Sequence, residues 1–209
     1  MRYSIQQKGE SRSFPAGDAF LSGAAPAAQT EIAIYLGAPV VLDPGKAAVV
    51  VELNTECLAE HVDEAAPTSR NVVGFARYRN GDVAPSKLIE LVRLSVSDQR
   101  AIDAAKAVFE AAGLTVVVCA DQPGRILDRL LRPKYNAALR FLDEGLATAE
   151  DMDTTCKLGL GYPDGPIERV LKGGLRHHYE VTQALFETYG TPAYAPPRRA
   201  LAAARRGER

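Results

Sequence analysis

No GxGxxG follows an apolar run in this sequence, and no GxxxxGK[ST] occurs at all. Those glycines let a backbone approach a pyrophosphate at a helix N-terminus, so without them a nucleotide has no evident cradle. Cysteine is scarce as well. Cys57, Cys119 and Cys156 are widely spaced and odd in number, which points to neither a disulfide framework nor a CxxC metal site and implies a reducing, cytoplasmic setting. Glu52, Glu56 and Glu60 surround Cys57 in the sequence; a reactive thiol needs the opposite charge nearby, so Cys57 reads as a packed residue. Of the three histidines, His61 lies in a charged stretch and His177 and His178 are adjacent on a helix. Adjacent helical positions diverge around the axis, so no metal site is expected. No apolar run approaches the roughly 18 residues of a membrane span, and MRYSIQQKGESRSF lacks the apolar core of a signal peptide, so neither export nor anchoring is expected. Neither sign of charge dominates: 25 basic and 26 acidic residues give a formal net charge of −1, which argues against a nucleic-acid or anionic-membrane partner.

What remains is a chain able to build a core. The 209 residues, 46% of them hydrophobic, suit one ordinary domain or two small ones. Residues 1–30 carry Gly, Ala, Ser and Pro without a sustained period and read as irregular. Short aliphatic runs bounded by Gly, Pro or Asp then predict strands over 31–36, 38–42, 47–53, 71–78, 87–95 and 114–119. Between the last two, 98–113 places Ile102, Ala105, Val108, Phe109 and Ala112 on one helical face. After Asp121-Gln122-Pro123-Gly124 only helical patterns follow: 125–145 with Pro133 inside it, a short helix opened by a Thr148-to-Asp151 capping box, one starting at Pro166, one over 176–190, and a last one after Pro196-Pro197. The expected architecture is a truncated Rossmann-like α/β domain over 1–120 and an all-α domain over 121–209.

The second half resembles the helical domain of the 3-hydroxyacyl-CoA dehydrogenase family. The Pro123-Gly124 opening, Arg129-Leu130-Leu131, Glu144-Gly145, Thr148, Glu150-Asp151, Asp153 and Leu158-Gly159…Gly161-Tyr162-Pro163…Gly165-Pro166 match in order and spacing. Upstream, Asn54-Thr55 resembles the start of the family's Asn-Thr-Ser-Ser motif, Gly74 opens its histidine strand, and Lys87-Leu88-Ile89-Glu90 resembles its glutamate strand. The resemblance implies an acyl-CoA-related protein of fatty-acid or aromatic-acid degradation that uses NAD to oxidise 3-hydroxyacyl-CoA. It also implies a dimer formed by the helical half, either a homodimer or a heterodimer with a full-length paralogue.

Three departures bear on that activity. In the family a histidine two residues after the glycine takes the hydroxyl proton and the glutamate orients it; here that position is Ala76. The family's Asn-Thr-Ser-Ser continues as Glu56-Cys57, and its Pro-Gly-Phe-Ile-x-Asn-Arg motif carries Arg125 for the phenylalanine and Asp128 for the asparagine. The catalytic candidates are therefore Glu90, Asp128 and Glu56, with Asn54 and Thr55 as cofactor-binding candidates. Three functions stay open: a dehydrogenase with a rearranged site, a noncatalytic acyl-CoA-binding or assembly subunit, and acid–base chemistry on a CoA thioester by carboxylates whose pKa values are driven apart. Read structurally, Glu90 pairs with Lys87, Arg77 or Arg93, and Asp128 is a helix-surface acid beside Arg125 and Arg129.

Overall fold

The computed structural model describes residues 1–208, which group into two compact units: Met1–Arg79 with Ala84–Arg125, and Asn80–Val83 with the chain from Ile126 onward. Among the described residues the first unit holds a six-stranded sheet: β1 (Tyr3–Gln7), β2 (Ile32–Leu36), β3 (Ala48–Glu52), β4 (Val72–Arg77), β5 (Leu88–Arg93) and β6 (Thr115–Ala120). The strands lie side by side in sequence order. β1 to β4 are parallel, β5 runs against β4, and β6 is parallel to β5.

Uninterrupted aliphatic runs form β2 and β3, and every residue of both is buried; this is the pattern of strands covered on two faces. One face carries Ile32, Ile34, Val50, Phe75, Ile89 and Leu91, packed under Phe14, Phe20 and helix α2 (Gln99–Ala111). The other carries Tyr35, Val49, Val51, Leu53, Val92 and Leu94, packed under Leu58 and Val62. A four-residue helix, α1 (Ala19–Ser22), follows β1.

Two readings of the sequence change here. Residues 1–30 are not wholly irregular, because Tyr3–Gln7 pairs with Ile32–Leu36; a long-range ladder overrides a weak local pattern. The apolar stretch 38–42 is no strand, because no neighbouring strand pairs with it; the Tyr35 hydroxyl donates to the Val41 carbonyl, and Val41 stays exposed.

The second unit is built from α3 (Leu127–Asp143), α4 (Ala149–Thr154), a π-helical turn at Thr155–Gly159, α5 (Pro166–Gly173), α6 (Leu175–Tyr189) and α7 (Arg198–Arg206). Its core is Tyr135, Ala138, Leu139, Ile167 and Val170, with a smaller cluster of Val181, Leu185 and Tyr194. Several of the matched residues sit at helix termini. The Thr148 hydroxyl accepts the Asp151 N–H at 3.1 Å and starts α4. The Asp153 carboxylate accepts the N–H groups of Ile167 and Glu168 at 2.8 and 2.9 Å and caps α5. Gly165 is obligatory there, since a Cβ would fall on the Asp153 side chain.

Candidate functional site

Glu90 answers to a specific cross-strand partner. In the β4–β5 ladder Ala76 stands opposite Glu90 and Gly74 opposite Val92. Directly opposed residues hold their Cβ atoms about 5 Å apart on one face of the sheet, so the methyl of Ala76 lies beside the Glu90 side chain on that face. Gly74 is required on that face, because a Cβ would lie 2.6 Å from the Leu53 side chain. Glu90 itself is only 5% exposed. Arg77 is not its partner: on the opposite face of β4, Arg77 donates to the Ser13 and Ser86 carbonyls and to Asp18 at 2.9 Å.

The segment after β3 is pinned to the end of the unit. The Arg125 guanidinium donates to the carbonyls of Asn54 and Glu56, and the Gly124 N–H donates to the Thr55 carbonyl at 3.0 Å. Arg125 is buried and holds a φ of 45°, a left-handed conformation that costs a non-glycine residue about 1 kcal/mol. The Glu56 carboxylate accepts the Asn54 N–H at 3.1 Å and lies 3.3 Å from His61 Nε2. Thus Asn54, Thr55 and Glu56 form one clamped loop, and the exposed His61 is the partner of Glu56.

The nearby thiols are not nucleophiles. Burial pushes Cys119 up to about 11, with Glu90 adding to the effect. Burial, then Asp121 and Glu60, pushes Cys57 to about 11 as well. A thiol held there is protonated at neutral pH.

Several backbone donors that follow the strands of this unit have acceptors within the chain. In a nucleotide-binding α/β fold the N–H groups after the strands face the phosphates; here carboxylates of the chain itself fill those positions. Glu52, at the end of β3, accepts the Ser13 N–H at 2.9 Å and the Ser11 hydroxyl at 2.7 Å. Asp18 caps α1 through the Phe20 N–H. Asp121 accepts the N–H groups of Leu58 and Ala59 at 2.8 and 2.9 Å.

In the helical unit Asp128 sits in the first turn of α3 and receives Arg132 Nε at 2.8 Å, so its partner is neither Arg125 nor Arg129. Arg132 also reaches His178 Nδ1 at 3.2 Å and His177 Nε2 at 3.4 Å. A guanidinium only donates, so Nδ1 of His178 accepts and its proton lies on Nε2. That N–H meets Asn136 Oδ1 at 2.8 Å, and the Asn136 amide donates to the Ala193 and Ala195 carbonyls. Burial, then the charge of Arg132, lowers His178 to about 2. The chain Asp128, Arg132, His178, Asn136 was missed in the sequence because its members come from two helices, although the Asp128–Arg132 i,i+4 spacing was a usable signal.

The "3-hydroxyacyl-CoA dehydrogenase, C-terminal domain" family matches residues 124–208. A "3-hydroxybutyryl-CoA dehydrogenase" of Mycobacterium tuberculosis is 31% identical over 159 residues, covering 76% of this chain and 54% of that protein. The chain belongs to the 3-hydroxyacyl-CoA dehydrogenase family. The Homo sapiens "Hydroxyacyl-coenzyme A dehydrogenase, mitochondrial" is 40% identical over 82 residues, covering 39% of this chain and 26% of that protein. Among solved structures, M. tuberculosis FadB2 superposes with a TM-score of 0.72 at 25% identity, over 85% of this chain and 66% of that one. The chain thus spans about half the length of the M. tuberculosis relative and about a quarter of the human one. Among the described residues no helix is long and apolar enough to cross a membrane, and no group of three or more His, Cys, Asp or Glu side chains is placed to hold a metal.

Proposed function

We propose that this chain is an acyl-CoA-recognising member of its family that does not itself carry out the NAD-dependent oxidation of 3-hydroxyacyl-CoA, and that acts in the cytoplasm as a binding or assembly subunit. The observation that carries this reading is Ala76 opposite Glu90: the carboxylate is kept, and the group it would orient is a methyl. A positioned general base contributes about 10²–10⁴-fold to such a proton transfer, so the step has lost its main driver. The carboxylate-filled donors after the strands support the same reading for NAD. In this proposal the helical half assembles the dimer, as a homodimer or with a longer paralogue.

Titration of the chain with acetoacetyl-CoA and with NADH by calorimetry, beside an NADH-oxidation assay, tests it. The expected result is thioester binding without NADH binding or turnover. Binding of both with turnover overturns the proposal in favour of a rearranged dehydrogenase, and binding of neither leaves assembly alone.

The second reading is acid–base chemistry on a CoA thioester. It is favoured by the burial of Glu90 within the sheet, which shields the carboxylate from water. Hydrogen–deuterium exchange at the carbon next to the thioester carbonyl, lost in Glu90→Gln, would support it; exchange unchanged in that variant would sink it.

A further inference from the structure

The helical unit contains a cavity of about 470 Å³ that neither proposed reading uses. Its floor is aliphatic, formed by Leu139 and Leu142 of α3, Ile167 of α5 and Leu175 of α6, with the exposed Leu171 at the lip. Its rim is basic, formed by Arg198, Arg199 and Arg206 of α7. The volume lies within the range of small-molecule sites, and so does the composition, an apolar interior with a few polar groups at the mouth.

Two features identify the occupant. First, the rim carries more positive charge than its own carboxylates offset. Arg198 and Arg199 converge on the single carboxylate of Asp143 at 3.0 and 2.5 Å, Arg206 pairs with Glu208, and the sequence RRALAAARR of α7 contains no acid. Second, a second copy docking with α7 on the two-fold axis would set its arginines against their own images, since residues at the axis of such an interface meet themselves. Like charges brought together across an interface cost several kcal/mol. An anion with an apolar tail meets both the floor and the rim.

We propose that this cavity binds a medium-chain fatty carboxylate, its alkyl chain on Leu139, Leu142 and Ile167 and its carboxylate on the arginines of α7. Guanidinium groups suit this role, because their planar fork matches a carboxylate in a bidentate geometry.

The test is calorimetric titration of the full chain with decanoate and with 1-decanol, on wild type, Ala202→Trp and Arg198→Glu/Arg199→Glu. Ala202 lines the cavity from α7 and is half-buried, so its replacement fills the space without entering the core of the unit. The expected result is decanoate binding that Ala202→Trp abolishes and the double variant weakens at least tenfold, with decanol much weaker in the wild type. Circular dichroism melts establish that each variant is folded. Equal affinity for decanol and decanoate overturns the role of the arginines. Absence of decanoate binding to folded wild type overturns the site, as does a concentration-dependent dimer that Ala202→Trp disrupts while decanoate does not compete with it.

Discussion

The two units have kept different parts of one family pattern. In the helical unit the matched residues persist with a structural task each: Thr148 and Asp153 cap helices and Gly165 makes room for Asp153. In the α/β unit the positions singled out as chemical candidates lie within the packed scaffold, with Ala76 opposite Glu90 and Arg125 clamping the loop of Asn54 and Glu56. The contrast shows that a family motif can consist largely of residues with structural tasks such as helix capping. Such residues report on fold, and fold does not carry activity with it.

Four substitutions or conditions sharpen this comparison, each read by native-state hydrogen exchange so that the two units are followed separately. The largest effect is expected in the α/β unit. Glu52→Ala leaves the buried Ser11 hydroxyl and Ser13 N–H without their acceptor, and two such losses cost about 4 kcal/mol. Protection in β2 and β3 should fall by that amount with α3 unchanged. A comparable fall in α3 would break the division into two units.

Next is Arg132→Leu in the helical unit. It strips the donor from Asp128 and from His178, and removal of one partner from a largely buried pair costs about 3 kcal/mol. Protection in α3 and α6 should drop, and an unchanged α6 would mean that the four-residue chain does not join these helices.

The third effect is pH dependence. His178 titrates near 2 when folded against 6.5 when unfolded, so its depressed folded value contributes stability that is complete above about pH 6.5 and is lost as pH falls. Between pH 6.5 and 5 the unfolded chain takes up a proton that the folded one refuses, a loss of about 2 kcal/mol in the helical unit. His178→Gln should flatten that part of the slope; an identical slope in the variant would assign it to other groups.

The smallest is Thr148→Ala, which removes one exposed cap from α4 at a cost of about 1 kcal/mol. A loss beyond about 2 kcal/mol in the exchange protection of the helical unit would show that α4 carries more of the unit than its cap implies.

Several elements were legible before any coordinates. The aliphatic runs of β2 and β3, the apolar face of α2 and the cap at Thr148 all rest on local patterns, and the structure places them where those patterns put them. The Leu-rich face of α3 was only half legible. Leu139 is buried, but Leu130 is 69% exposed, because spacing marks a stripe along a helix and not which part of it a neighbour covers. The pairing of β1 with β2 escaped because nothing within Tyr3–Gln7 announces a partner about thirty residues away.

The sequence by itself determined the two-part architecture, the helix termini and the alanine at position 76, since each depends on residue identity at a short, fixed spacing. Tertiary structure alone decided that Ala76 faces Glu90, that Asp121, Asp18 and Glu52 occupy the donors after the strands, and that Arg132 joins Asp128 to His178. The physical reason is range. Caps and periodicity act within a few residues of the chain, whereas strand register and buried charge pairing join positions that only the packed core brings together.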